Sequence, residues 1–378
     1  MPALPRAEAL WRLTKSGGAW LAVFLVAGGL GGFLFAWSGL YSVAASRGHW
    51  PGFTLALEFG LRSSVRTHVL GMAVPDLSAP ALAELGAAHF QGGCAPCHGA
   101  PGRTANPIVR AMLPVPPDLV VSVSSWRPQE LFWIVRHGLK YTGMPAWPAP
   151  ERDDEVWAVV AFLQRLPTMS AAQYEELAWL TQREEDVPIR SLAQGGPLGT
   201  GIAACTRCHG MDGSGRPSGA FPRLDIQSAE YLLAQLQSYA AGTRASGIME
   251  PVTADLSAAE MRRLAEYSGA RKTATVEPLD PALAVGRTLA VAGAPDQGIP
   301  ACLACHGADP ASRSPLFPAL VGQFASFTAA QLALFKSGKY RPTPAADIMA
   351  VIAKRLSDEE IQAVSAYLAG DQAAKRRR

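Results

Sequence analysis

Outside three short pentapeptides the chain contains no cysteine. All six cysteines of its 378 residues fall in Cys94-Ala95-Pro96-Cys97-His98, Cys205-Thr206-Arg207-Cys208-His209 and Cys302-Leu303-Ala304-Cys305-His306. That concentration excludes a disulfide scaffold, which has no use for a histidine trailing every pair. Histidine is scarce as well: only His49, His68, His89 and His137 lie outside the motifs. No second Cys-x-x-Cys or His-x-x-x-His stands near any copy, so a four-ligand zinc site cannot be completed locally. No βαβ pattern surrounds the motifs, which excludes a thioredoxin-like dithiol. Charged residues make up only 17 % of the chain, at a formal net charge of +3, and form no nucleic-acid-binding stripe. Between Lys15 and Arg47 there is no charged residue.

What remains is a chemistry that uses two thiols and the next histidine together. In Cys-x-x-Cys-His the thiols are spaced to form thioethers with the two vinyl groups of one haem, and the histidine lies beneath the iron. The copies begin 111 and 97 residues apart, which predicts three haem c groups and three domains. The cofactor-binding residues are therefore Cys94, Cys97, His98, Cys205, Cys208, His209, Cys302, Cys305 and His306. Each domain has roughly 80–100 residues, small for a self-sufficient core. A macrocycle held at the centre explains how a few helices suffice.

The uncharged stretch Gly17–Tyr41 is apolar and exceeds the ~20 residues a membrane-crossing helix needs. Trp20 at one end and Trp37 with Tyr41 at the other suit the aromatic belts of a bilayer, and Arg6, Arg12 and Lys15 orient the amino terminus inward. An uncleaved anchor is expected rather than a signal peptide, whose apolar region would run only ~7–15 residues. The expected division is a cytoplasmic 1–16, a transmembrane anchor 17–45 and an amphipathic juxtamembrane segment 46–75. A first domain 76–168, a linker 169–193, a second domain 194–274, a third domain 275–370 and a basic tail 371–378 follow. In the juxtamembrane segment Phe53, Leu57, Leu61, Val65 and Val69 recur at every fourth residue, so a helix there lies on the membrane, on a partner subunit or on the first domain.

An electron carrier fills both axial positions of its iron, and a thioether raises the reduction potential. One methionine per domain sits at a matching place: Met144, 46 residues after His98; Met249, 40 after His209; and Met349, 43 after His306. With the three motif histidines they make the expected iron-ligand set, His98, Met144, His209, Met249, His306 and Met349. Met112 competes with Met144 in the first domain, and His137 is the one histidine placed to do so. The loop around Met249 reads as irregular. Prolines at matching positions, Pro116 or Pro117, Pro222 and Pro318, offer the carbonyls to which the proximal histidines donate.

With these residues in place, each domain resembles a class I c-type cytochrome. The second and third resemble the cytochrome c4 family, through Cys208–Gly213, Phe221-Pro222-Arg223-Leu224, Tyr231–Leu236, Met249 and Leu256–Glu260, then Pro318–Gln323, Gln331-Leu332, Met349 and Leu356–Glu360. The first is similar to cytochrome domains with a Gly143-Met144-Pro145-Ala146 distal loop. The third departs after its histidine, where Ala308-Asp309-Pro310 replaces an Asp-Gly turn. The resemblance implies a mostly α protein, three tandem helical domains behind one transmembrane helix, facing the periplasm of a bacterial inner membrane. It implies one-electron transfer in a respiratory chain, without catalysis on a substrate. The redox protein partners would be a quinol-oxidising donor and a terminal oxidase or soluble cytochrome. The alternative is the tri-haem subunit of a membrane-bound alcohol or sugar dehydrogenase; a haem peroxidase would need an open iron site.

Overall fold

The computed structural model describes residues 6–178, 202–254 apart from 211 and 217, 256–269, 283–307, 314 and 317–370. Among the described residues every named element is a helix, and extended pairing is confined to the isolated bridges Ala100–Arg103 and Ala294–Ile299. This is the mostly α, tandem-domain plan read from the sequence. The expected connector from residue 179 onward, the turn at 308–310 and the basic tail lie outside the described residues.

The first helix runs Arg6–Ser38. Its Ala19–Ser38 portion has a mean hydropathy of 2.0 and touches no core, so it is long and apolar enough to cross a bilayer. An export signal near an amino terminus has the same character. The following turn is closed by aromatic contacts: Trp50 lies 6.0 Å from Phe35 and 5.4 Å from Tyr41, ring centre to ring centre. Tyr41 also pairs with His49 Nδ1 at 2.5 Å. The juxtamembrane helix, Pro51–His68, meets the first domain at its far end, while at its near end Phe53 packs on Tyr41 and His49. Val65 and Val69 are buried against the first domain, while Phe53, Leu55, Leu57 and Phe59 remain exposed.

In the first domain Pro80–His89 crosses Asp153–Leu163 at close quarters, and a Cβ on Gly86 would strike the Ala158 carbonyl. Only glycine admits that approach. The third domain repeats the device, with Ala284–Val291 crossing Asp358–Ala369 and Gly286 against the Ala363 carbonyl. Phe90, Phe162, Val156, Val159 and Leu166 fill the first core, and Ile299, Leu356, Ile361, Val364 and Leu368 the third. The second domain contributes Ile202–His209, Ala229–Ala240, Met249–Ala254 and Ala258–Gly269. Its helices are capped as their sequences dictate: Ser228 Oγ accepts from Tyr231 N, and Ser257 and Glu260 exchange hydrogen bonds across a first turn.

Two expectations need correction. The linker does not begin at 169, because a helix at Ala171–Leu177 belongs to the first domain. Its Tyr174 is wholly buried beside Phe90 and Phe162, and the Ser170–Gln173 capping box starts it. The segment at Met249 is not a loop but the start of the helix Met249–Ala254. Pro251 falls in the first turn, where a missing N–H costs nothing, and the Ser246 hydroxyl accepts from Met249 N at 3.2 Å.

Candidate haem centres

Each Cys-x-x-Cys-His motif ends in a helical turn, at Ala95–His98, Ile202–His209 and Cys302–His306. The helical pitch sets the first cysteine, the second at i+3 and the histidine at i+4 on one face. All six thiols are free, and burial pushes Cys94 up to about 12 and Cys205 up to about 11. Thiols held neutral in this way suit neither a redox dithiol nor a zinc thiolate site.

The three histidines share one environment. His98 Nδ1 lies 2.8 Å from the Pro117 carbonyl, His209 Nδ1 3.0 Å from that of Pro222, and His306 Nδ1 2.9 Å from that of Pro318. These are the proline carbonyls expected from the sequence, with Pro117 rather than Pro116 chosen in the first domain. A carbonyl only accepts, so each Nδ1 carries a proton and Nε2 is left as the nitrogen that can face a metal. Burial lowers the pKa of His209, against the pull of its hydrogen bond to Pro222, and keeps the ring neutral. Phe221 lies edge-on to His209 at 6.3 Å, and Phe317 lies 5.8 Å from His306. This donor set of two thiols and an oriented imidazole, three times over, fits covalently held haem.

The methionines occupy unlike settings despite their equal spacing. Met144 stands in an irregular loop, where its N–H donates to Thr142 Oγ1 at 3.0 Å and its carbonyl accepts from Leu139 N at 3.1 Å. Met249 opens a helix and Met349 sits within Pro344–Ala353. All three are half-buried. Met112 reaches the same place as Met144: its terminal methyl rests on Gly143, where a Cβ would collide with it. His137 is exposed and packs on Trp133 at 5.1 Å.

The domains make contacts that sequence reasoning missed. Between the second and third, the Gln227 amide pairs both ways with the backbone of Ala319, at 2.9 Å each. The Gln323 amide pairs likewise with Arg223, at 3.0 and 3.1 Å. Both glutamines stand five residues after the prolines that hold His209 and His306, in Phe221-Pro222-Arg223-Leu224-Asp225-Ile226-Gln227 and Phe317-Pro318-Ala319-Leu320-Val321-Gly322-Gln323. That repeat was the available signal.

Between the first and second domains, Trp147 lies flat on Gly247, where a Cβ would come within 2.5 Å of the indole. Glu155 accepts from Ser246 Oγ at 3.0 Å and Gly247 N at 2.6 Å, and Arg152 donates to the Ala245 carbonyl at 2.9 Å. Burial pushes the Glu155 carboxyl up, with Arg152 opposing. His89 lies 5.0 Å from Trp147, and burial, with Arg152 adding, pulls it down to about 3. Arg341 of the third domain closes the junction, reaching Glu250 at 2.9 Å, the Gly242 carbonyl at 2.6 Å and Glu151 at 3.5 Å.

Residues 81–163 match the family model described as cytochrome c oxidase, cbb3-type, subunit III, and residues 286–370 match that of cytochrome c. A thiosulfate dehydrogenase electron acceptor from Stutzerimonas stutzeri is 39 % identical over 169 residues, covering 44 % of this chain and 78 % of that protein. A cytochrome c4 from the same species is 36 % identical over 184 residues, covering 45 % of this chain and 85 % of that protein. The solved structure of reduced cytochrome c4 from Pseudomonas stutzeri is 36 % identical, covers 48 % of this chain and 97 % of that one, and gives a TM-score of 0.40. Shared identity across most of these relatives' length settles the family: the chain is a class I c-type cytochrome with cytochrome c4-like domains, built for electron transfer through covalent haem c.

Proposed function

We propose that the protein is a membrane-anchored, tri-haem electron relay on the periplasmic side of a bacterial inner membrane. Cys94 and Cys97, Cys205 and Cys208, and Cys302 and Cys305 hold three haems by thioether bonds. His98, His209 and His306 are the proximal ligands, and Met144, Met249 and Met349 the sixth. Bound haem supplies a one-electron iron couple. The chain's residues aim each imidazole, close the far face with a soft sulfur and exclude water. The domains run approximately 76–178, 194–274 and 275–370. The observation that carries this reading is the threefold imidazole-to-proline hydrogen bond, made at 2.8 to 3.0 Å in every repeat.

The donor is a quinol-oxidising complex and the acceptor a terminal oxidase or soluble cytochrome. A second donor class has one specific support: two relatives carry the name thiosulfate dehydrogenase electron acceptor, which favours delivery from a dehydrogenase of reduced sulfur compounds. A pyridine haemochrome assay on the purified chain should give three haems, and Met349→Ala should lower one potential and open that haem to carbon monoxide. Fewer haems, or a Met349→Ala protein with unchanged potentials, would overturn the assignment. Reduction by quinol-oxidising membranes or by a thiosulfate-oxidising enzyme separates the donors.

A further inference from the structure

The sixth-ligand segment of the second domain is gripped by the first domain, and one carboxylate organises the grip. Glu155 is 3 % exposed and lies on Asp153–Leu163, outside the second domain altogether. Its Oε1 takes the only proton of the Ser246 hydroxyl, at 3.0 Å. The Ser246 oxygen is thereby turned to accept from Met249 N at 3.2 Å, the first N–H of the helix that bears the methionine. Its Oε2 takes Gly247 N, and Arg152 holds both Glu155, at 2.9 Å, and the Ala245 carbonyl. The Ala245 carbonyl and Gly247 N are thus held directly by the first domain, while Ser246 N donates to Glu250 Oε1 at 2.9 Å within the second.

We infer that Glu155 is a positioning residue for Met249, acting through Ser246, so that the sulfur–iron bond of the second haem depends on docking of the first domain. The inference rests on Met249 being that haem's sixth ligand. A carboxylate is required because it accepts at both oxygens; an amide of the same shape accepts at one and presents N–H groups at the other. A methionine whose helix start is loosened leaves ferrous iron open to an exogenous ligand.

The test uses the full-length, detergent-solubilised holoprotein in three variants, Glu155→Gln, Ser246→Ala and Met249→Ala. Readouts are carbon monoxide binding to the reduced protein, the near-infrared methionine-to-iron(III) absorption and the three midpoint potentials. Glu155→Gln and Ser246→Ala should each gain carbon monoxide binding at a single haem, lose that haem's near-infrared band and lower its potential, leaving the other two haems unchanged. Ser246→Ala removes no buried charge, so it decides the matter should Glu155→Gln assemble poorly. Carbon monoxide binding and potentials equal to the parent in Ser246→Ala would overturn the inference. A Met249→Ala protein that still binds no carbon monoxide would instead overturn the ligand assignment beneath it.

Discussion

The two domain contacts solve the same problem with opposite chemistry. The second and third domains are joined mainly by neutral side-chain amides, each satisfying a backbone N–H and C=O across the interface in a near-symmetric exchange, with the Asp225-paired Arg223 guanidinium adding one bond to the Gly322 carbonyl. The first and second domains meet through an apolar cluster of Leu85 and Ala88 with Cys208, Phe221 and Ile248, and through charged groups and rings in no symmetric arrangement, Arg152, Glu155, His89 and Trp147, with Arg341 of the third domain closing the edge. The symmetric contact lies behind the prolines that fix the proximal histidines, whereas the asymmetric one lies on the segment that bears Met249. Like domains can exchange like contacts, and an unlike domain must be fitted to what its neighbour leaves available. An amide exchange is insensitive to pH and weakly sensitive to salt. A junction of ions and a buried imidazole responds to both.

The sharpest way to break this comparison is to remove the amides. Gln227→Ala with Gln323→Ala strands the N–H and C=O of both Arg223 and Ala319, which are themselves buried. At ~1–3 kcal/mol for each buried group left without a partner, the pair should lose about 4 kcal/mol or more. Denaturant unfolding followed at the haem absorbance measures it, and the loss should be the same in low and high salt. A loss under about 1 kcal/mol, the net worth of one ordinary hydrogen bond, would show that water satisfies these groups and that the exchange is not what joins the domains.

Acid should separate the contacts in the other direction. His89 is pulled down to about 3 by burial and by Arg152, from an ordinary value of 6.5. Its neutral form is the one the folded junction accepts, so its contribution is complete above pH 6.5. Below that the unfolded or undocked chain binds a proton that the folded one refuses, and stability falls as pH drops from 6.5 towards 3. The slope is about 1.4 kcal/mol for each pH unit. His89→Leu should flatten that slope by this amount, read from unfolding midpoints across the window. Equal slopes in parent and variant would place the acid sensitivity elsewhere.

How far the sequence foretold this arrangement varied with the range of the cause. The proximal sites were legible because Pro222 and Pro318 recur at one distance from their motifs, and a histidine at such a site requires an acceptor. Helix starts were legible where a box such as Ser357–Glu360 sits before an apolar run. The helix at Ala171–Leu177 had its box, Ser170–Gln173, inside a stretch read as linker. At Met249 a proline three residues into the segment suggested a loop, because its tolerance of a first turn depends on where the helix starts. Ala284–Val291 was not read, since neither of its ends carries a strong cap and only its partner helix explains Gly286. The Glu155–Ser246 contact joins residues 91 apart and leaves no local signature. Met112 rests on Gly143, next to Met144, for the same kind of reason: a fold brings together what spacing alone ranks apart.

The least of the expected effects lies at the rim of the junction. Lys339 Nζ meets Asp153 Oδ2 at 2.7 Å, with the lysine side chain 56 % exposed. Burial raises the Asp153 carboxyl, but Lys339 and Arg136 outweigh it and hold it below its ordinary range. An ion pair so open to solvent contributes ~0.2–1 kcal/mol and is screened by salt. Lys339→Ala should therefore weaken docking of the third domain against the first by no more than about 1 kcal/mol, visible at low ionic strength and vanishing at high. Arg341, shared by Glu250, Glu151 and the Gly242 carbonyl, should by contrast retain its effect in salt, because it is only 22 % exposed and answers three partners at once. A lysine variant as damaging as Arg341→Ala would mean that the rim, and not the buried centre, holds the unlike domain in place.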